Sequence, residues 1–391
     1  MKDDSAVARR ASETWLNTDS CKLDEFIAQV DRRTLAAEYP LAADIARNVP
    51  IYEGTAIRAA ARDPVARKEM MAEWASAMLD GPGIVGFRGA FDDLEAVDAV
   101  TKVFFAIIAE QHAQNKSSGD HFAKPGSNDR VWNALEKLAL RDPALFARYY
   151  SNDAVAMVAE AWLGTGYQIT SQVNCVNPGG EAQSPHRDYH MGFQTAAEIE
   201  RFPAHAHKVS PLLTLQGAVA HCDMPLETGP TLYLPFSQRF APGYFAYSLP
   251  EFAEYFAAHR VQMPLSKGDG VFFNPALFHA AGHNRTTDVK RLANLLQVSS
   301  AYGRAMESVD RAKMVKSLYP TLRGLEGAAL ANVIAASAEG YAFPTNLDLD
   351  PPLGGLAPQT QAQLTAKALS EGWDAETFAK AVDAHGEKRR T

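Results

Sequence analysis

The segment SPHRDYHMGF, residues 184–193, places His186, Arg187, Asp188 and His190 within five positions. An imidazole and a carboxylate two residues apart on extended backbone project the same way, as two ligands of one metal ion must. The pattern is weak by itself. With 11 histidines in 391 residues, chance supplies a His-x-Asp tripeptide about 0.7 times. A second copy does occur, His221-Cys222-Asp223.

A 2-His-1-carboxylate metal site also needs a third ligand from a distant strand and open positions facing a cavity. The stretch GDGVFFNPALFHAAGHNR offers His279 and His283. Twelve residues beyond His279, Arg291 opens the apolar run RLANLLQVS. A guanidinium there suits a dicarboxylate that chelates the metal at one end and meets a cationic fork at the other.

These residues need elements to position them. Residues 1–80 read as helical, with apolar positions repeating at three and four in SAVARRASETWL, KLDEFIAQVDRRTLA and PVARKEMMAEWASAML. GPGIVGFRGAF is a turn and a short β-like run, followed by a helix that aspartates open. A loop is expected around Lys124–Asp129, then helices through VWNALEKLAL and DPALFARYY, with Asp142-Pro143 a start signal and Gly164 a stop. From Tyr167 the texture turns to short β-rich runs between Pro and Gly turns, including an aromatic strand that ends at His279. Helical patterning returns near Gly303, broken by the Pro-rich stretch 340–358.

Composition narrows the function classes. The net charge is −8 and no basic run suits a phosphate backbone, so neither nucleic acid nor an anionic membrane is expected as a partner. The amino terminus MKDDSAVARR lacks an apolar signal region, and no apolar stretch approaches a membrane span. Three widely spaced cysteines without a CxxC argue against a disulfide framework and fit a reducing, cytoplasmic setting.

Four stretches, in order and with their flanking residues, resemble the phytanoyl-CoA dioxygenase-like family of non-haem Fe(II), 2-oxoglutarate-dependent oxygenases. DGPGIVGFRGAF and its helix resemble the family's opening strand and helix, and VNPGGEAQSPHRDYH its Pro-Gly turn before His-x-Asp. DMPLETGPTLYLPFSQR resembles the segment that commonly reads Asn-Gly-x-Leu and Pro-Gly-Ser-His; here Glu227-Thr228-Gly229 and Phe236-Ser237-Gln238 stand instead. KGDGVFFNPALFHAAGHNRT through RLA resembles His-x-x-Gly-x-Asn…Arg-x-Ala, where Gly282 and Asn284 assign the ligand to His279 rather than His283. The resemblance covers about residues 80–300.

The resemblance implies an α+β fold: a double-stranded β-helix, or jelly-roll, core of cupin type with helical additions at both ends. The expected division is an N-terminal helical extension over 1–79, the dioxygenase domain over 80–302 with its β core at 167–302, and a C-terminal helical region over 303–391. It implies Fe(II) held by His186, Asp188 and His279, and 2-oxoglutarate paired with Arg291, with Lys290 a minor rival. The expected reaction uses O2 to hydroxylate or otherwise oxidise an aliphatic C–H of a small molecule, releasing succinate and CO2. Asp188 favours hydroxylation over halogenation, since related halogenases keep that position small.

Thr170, Gln172 and Asn174 alternate onto one strand face; Thr170 and Asn174, with Gln183, are expected on the cofactor side. Tyr189, Phe193 and Phe273 are candidate pocket walls. His221 is expected in the core or cavity wall. His190, His205 and His207 are expected as solvated loop histidines, the alternative being a loop that covers the site. The terminal helices are candidates for a homodimer contact. The rival reading is a cupin-type metal-binding barrel without 2-oxoglutarate, and Arg291 distinguishes the two.

Overall fold

A computed structural model describes residues 4–114 and 126–390. It is a mixed α/β structure with one large, mostly antiparallel sheet, one small sheet and many helices. The strands are β1 (Asp44–Ala46), β2 (Val49–Glu53), β3 (Ile84–Arg88), β4 (Asn128–Val131), β5 (Gln168–Val176) and β6 (Thr214–Ala220). They continue as β7 (Leu232–Leu234), β8 (Val261–Gln262), β9 (Gly270–Phe273), β10 (Phe278–Ala280) and β11 (Arg291–Ser299). Eight form the large sheet in the order β1-β2-β3-β9-β6-β11-β5-β4; the other three pair as β10-β7-β8.

The centre of the large sheet is β5, β11 and β6, whose antiparallel register runs Gln172↔Leu295↔Ala218 and Asn174↔Ala293↔Ala220. Side chains alternate between faces along a strand. One face carries Val173, Cys175, Leu292, Leu296 and Val298 into the main core, where they pack on the helices. The opposite face turns Gln172, Asn174, Arg291 and Gln297 toward the small sheet and a cavity. Phe273, Val271 and Ile84 of the large sheet meet Tyr233 of the small one in a separate apolar layer.

Several helix boundaries follow the sequence signals. Asp63 accepts from Val65 N and Ala66 N, and Pro64 occupies the first turn of the helix Pro64–Leu79. Asp93 caps Leu94–Ala113, Asp142 caps Pro143–Tyr150, and Gly164 ends Asp153–Leu163 at φ +73°. The helix Leu23–Val30 buries Phe26 in an aromatic cluster with Phe240, Phe252 and Phe278, ring centroids 5.2 to 5.3 Å apart. That cluster covers the outer side of the small sheet, beside His279.

Three expectations need correction. The first 80 residues are not wholly helical: β1 and β2 form a hairpin, and β2 joins β3 in parallel at the sheet edge. Both strands are short and β2 contains Pro50, so neither shows an alternating run. The loop around Lys124–Asp129 starts outside the described residues and ends in β4, which pairs with β5 through Arg130↔Asn174. The aromatic strand ending at His279 is two strands in different sheets. Asn274 breaks it by accepting from Ala276 N and donating to Met78 O. The Pro-rich stretch holds no helix or strand beyond one 3-10 turn, Leu353–Gly355. Among the described residues, no helix is long and apolar enough to cross a membrane.

Candidate active site

The segment that carries His186 and Asp188 lies as an irregular edge beside β10. His186 N donates to His279 O (3.0 Å), His279 N to His186 O (3.2 Å), and Asp188 N to Pro275 O (3.0 Å). This ladder sets the two histidines opposite each other, and the period of two brings Asp188 to the same side. Arg187 points the other way. Its guanidinium donates to Ser237 O (2.6 Å) and Phe240 O (3.0 Å) and lies over the rings of Tyr244 and Phe278. A Cβ at Gly243 would overlap that guanidinium at 1.9 Å, so a side chain there would displace Arg187.

Each histidine directs Nδ1 at a backbone carbonyl, His186 at Ser184 O (3.0 Å) and His279 at Leu277 O (2.9 Å). That bond fixes the tautomer and leaves Nε2 as a ligand atom. His279 Nε2 is 3.3 Å from Asp188 Oδ2, and His186 Nε2 is 3.9 Å from Asp188 Oδ1. The ligand atoms of all three lie within 4.8 Å of one another, and this is the cluster of metal-ligating type among the described residues. Two neutral imidazoles and one carboxylate, with space on one side, are the donor set of a non-haem Fe(II) centre. Burial alone would raise the Asp188 carboxyl. Its partners instead hold it well below the usual carboxylate range: the bond from His279, the charge of each histidine when it is protonated, and the amide of Gln216.

The triad opens on a cavity lined by the polar face of the large sheet, with Arg291 in the same lining. Arg291 is buried, and its Nη1 has no hydrogen-bond partner. Burial pushes its pKa down to about 10, so it remains charged at neutral pH. A buried, charged and unpaired donor is costly unless a ligand completes it. The carboxylate of 2-oxoglutarate distal to the metal fits that need. Lys290 is exposed, and so is His283.

Local structure explains the spacing around these residues. Asn284 donates to Val176 O (3.2 Å), Asn177 O (3.1 Å) and Val289 O (2.8 Å), tying the turn after β10 to the end of β5. Arg291 then enters β11 opposite Val176. Gly282 and Gly229 touch back to back: a Cβ on Gly282 would meet Gly229 O at 2.8 Å. Ser237 is doubly used, its hydroxyl donating to Leu234 O (2.7 Å) and accepting from Phe278 N (2.8 Å). Phe236 takes a left-handed conformation at φ +69°, where the resembling sequences have glycine.

The remaining expected residues divide. Asn174 and Gln183 line the cavity, as do Phe193 and Phe273. Thr170 shares the strand face of Asn174, but its hydroxyl is closed onto Gln297 O (2.9 Å) and it is outside the lining. Tyr189 is buried beside Phe193 rather than in the wall. Of the three further histidines, His205 is exposed on a helix. His190 bonds Ser210 Oγ (3.1 Å), and His207 is buried against Phe245 with Nε2 at Phe202 O (3.1 Å). None of the three lines the cavity.

Sequence reasoning missed Gln216, whose amide donates to Asp188 Oδ2. It also missed Arg130 and Gln297, which join Gln172 on the cavity wall: Arg130 Nη1 donates to Gln172 Oε1 (2.9 Å) and Gln172 Nε2 to Gln297 Oε1 (3.0 Å). Single polar residues at inward positions of otherwise apolar strands were the available signal.

A model of the phytanoyl-CoA dioxygenase (PhyH) family matches residues 59–292. No curated protein matches. Solved structures with similar folds include the non-heme alpha ketoglutarate dependent epimerase SnoN from nogalamycin biosynthesis, 22% identical over 61% of this chain and 84% of that one, with a TM-score of 0.40. Others are the carbocyclase SnoK from the same biosynthesis (20% identical, 62% and 89% covered, TM-score 0.42) and AviO1 from Streptomyces viridochromogenes Tue57 (17%, 59% and 97%, 0.42). Likeness at that level says nothing of the reaction here. The family match spans more than half of the chain and agrees with the donor set, so the chain belongs to the phytanoyl-CoA dioxygenase family, an Fe(II)- and 2-oxoglutarate-dependent oxygenase class, with Fe(II) and 2-oxoglutarate as its cofactors.

Proposed function

We propose that this protein is a hydroxylase, within that class, of an aliphatic C–H in a small-molecule substrate. His186, Asp188 and His279 would hold the iron, and Arg291 would pair with the distal carboxylate of 2-oxoglutarate. Asn174 and Gln183 line the space between. Bound Fe(II) and 2-oxoglutarate would supply the oxidising chemistry, one O2 being divided between the substrate and the succinate formed with CO2 from 2-oxoglutarate. The protein's own work is orientation and exclusion of water. Ser184 O and Leu277 O hold the two imidazoles, Gln216 holds the carboxylate, and Phe193 and Phe273 wall the cavity. Asp188 fills the position that a halogenase would leave small.

The two sheets would form the halves of a double-stranded β-helix within a catalytic unit over 80–302, with the N-terminal region adding β1 and β2 at the edge of the large sheet and the C-terminal helices packing on it. Small-molecule substrate, no nucleic acid, a cytoplasmic setting and a homodimer contact through the terminal helices complete the proposal. One observation carries it: two histidines with Nε2 turned to one carboxylate, in a cavity that also holds an unpartnered guanidinium. A metal-binding barrel without 2-oxoglutarate gives Arg291 nothing to bind. The test is a substrate screen under 18O2 with Fe(II) and 2-oxoglutarate. A product carrying one 18O atom, formed with one succinate each and absent with Asp188→Ala, is the expected result. Succinate coupled to a product without added oxygen would replace hydroxylation by another oxidation.

A further inference from the structure

Apart from its histidines, three charged side chains among the described residues line the cavity: Asp188, Arg291 and Arg130. Asp188 and Arg291 are used by the metal and by 2-oxoglutarate. Arg130 is not. It sits on the edge strand β4 opposite Asn174 and is 9% exposed. Its guanidinium is held in place, with Nη1 donating to Gln172 Oε1 (2.9 Å) and the carbon 5.1 Å from the centre of the Trp132 ring.

Arg130 and Arg291 belong to different parts of the wall. Arg291 lies opposite Val176, where β11 begins. Arg130 is tied through Gln172 to Gln297, six residues further along β11, and Gln297 lies opposite Gln216, which holds Asp188. In the register Arg130 lies opposite Asn174 and so across from Ala293, two residues from Arg291, and its side chain reaches on to Gln172, which pairs with Leu295. The bond from Arg130 to Gln172 thus runs along the strands away from Arg291, toward Gln297 and Gln216, the partner of Asp188. Trp132, Phe193 and Met306 line the same cavity, and Phe193 and Met306 are large apolar side chains left 51% and 40% exposed. Apolar groups at an open rim, next to a preset guanidinium, suit a molecule with an apolar body and an anionic end.

We propose that Arg130 is a specificity-determining residue and that the substrate is a small organic carboxylate, its carboxylate bound by Arg130 and its apolar body lying along Trp132, Phe193 and Met306. This rests on the oxygenase reading above. It needs Arg130 to face the cavity, not to lack other partners.

The test uses wild type, Arg130→Gln and Arg130→Lys, each loaded anaerobically with Fe(II) and 2-oxoglutarate. The proteins are titrated calorimetrically with benzoate, phenylacetate and 3-phenylpropanoate and with their neutral primary amides. At least one carboxylate should bind wild type about tenfold or more tighter than its amide, as a charge-assisted pair allows. Arg130→Gln should erase that preference and Arg130→Lys keep part of it, while the visible band of bound 2-oxoglutarate half-saturates alike in all three. Equal binding of acids and amides, no carboxylate binding, or a preference that survives Arg130→Gln would overturn the proposal. So would weakened 2-oxoglutarate binding in Arg130→Gln, which would give this arginine to the cosubstrate. An iron-loaded wild type without the band is the separate failure of the oxygenase reading.

Discussion

His186-Arg187-Asp188, beside β10 of the small sheet, and His221-Cys222-Asp223, after β6 of the large one, have the same spacing, yet their imidazoles do different work. His221 directly follows β6 and donates its N–H to Leu292 O (3.0 Å), which turns its ring to the helix side. There Nδ1 meets Thr101 Oγ1 (2.8 Å) and Nε2 meets Tyr149 Oη (2.9 Å), so both nitrogens are used. Asp223 faces elsewhere and accepts from Lys267 N (2.9 Å). Around His186 a backbone carbonyl takes Nδ1, and a second histidine and a carboxylate close on the Nε2 side. The tripeptide does not make the ligand. What does is a ring nitrogen turned toward other metal-ligating atoms across a cavity, and that is set by the strand next door.

The sharpest break in the comparison is removal of a ligand on each side. His186→Ala and Asp188→Ala should each weaken iron retention by at least about 100-fold, beyond the cost of losing a mere supporting partner, as measured by equilibrium dialysis. His221→Phe should bind iron as wild type does. If it lost iron equally, the two tripeptides would not differ in role.

Next in size is Arg291→Gln, which should weaken 2-oxoglutarate binding by about 30-fold or more, the usual effect of truncating one member of a buried ion pair. Gln216→Leu should be milder, with metal affinity falling about tenfold as Asp188 loses its amide partner. Leucine keeps the bulk, so a melting temperature near that of wild type separates this from misfolding.

The smallest effects belong to His221 and are effects on stability. His221→Phe takes one partner each from the buried Thr101 and Tyr149 hydroxyls, which keep Val97 O and Asn294 Nδ2, and should cost about 1–3 kcal/mol in chemical denaturation. Burial lowers the His221 pKa from its ordinary 6.5 to about 3. The unfolded chain therefore binds the proton first. The stability this neutral histidine contributes is fully present above pH 6.5 and is lost as pH falls from there toward 3, by about 1.4 kcal/mol per pH unit. His221→Phe should flatten that part of the pH–stability curve. An unchanged slope would mean the ring is reachable by solvent.

Much of the site could be read in the chain because its signals are local. Gly282, Asn284 and Arg291 keep a fixed spacing from His279 since one turn, pinned by the Asn284 side chain, connects β10 to β11. Period two was enough to turn Arg187 away from His186 and Asp188. The parts missed depend on contacts between distant segments. Gln216 gains meaning when β6 lies under Asp188, and Arg130 when β4 adds to β5. Four residues of β4, followed at once by the helical pattern of ALEKLALR, give no alternating run long enough to show. The same holds for the β1–β2 hairpin, which owes its place to the edge of β3. His207, expected in solvent, is buried because its segment folds into helices that pack on Tyr244 and Phe245.

The most direct test of the central claim, that one ligand spans the His-Asp-His group and Arg291, is an anaerobic titration. 2-Oxoglutarate is added to Fe(II)-loaded wild type and to Fe(II)-loaded Arg291→Gln, following the visible charge-transfer band. A band in both proteins, with the variant needing about 30-fold or more 2-oxoglutarate for half-saturation, is the predicted result. Equal half-saturation, or iron bound in wild type with no band at any concentration, would contradict it.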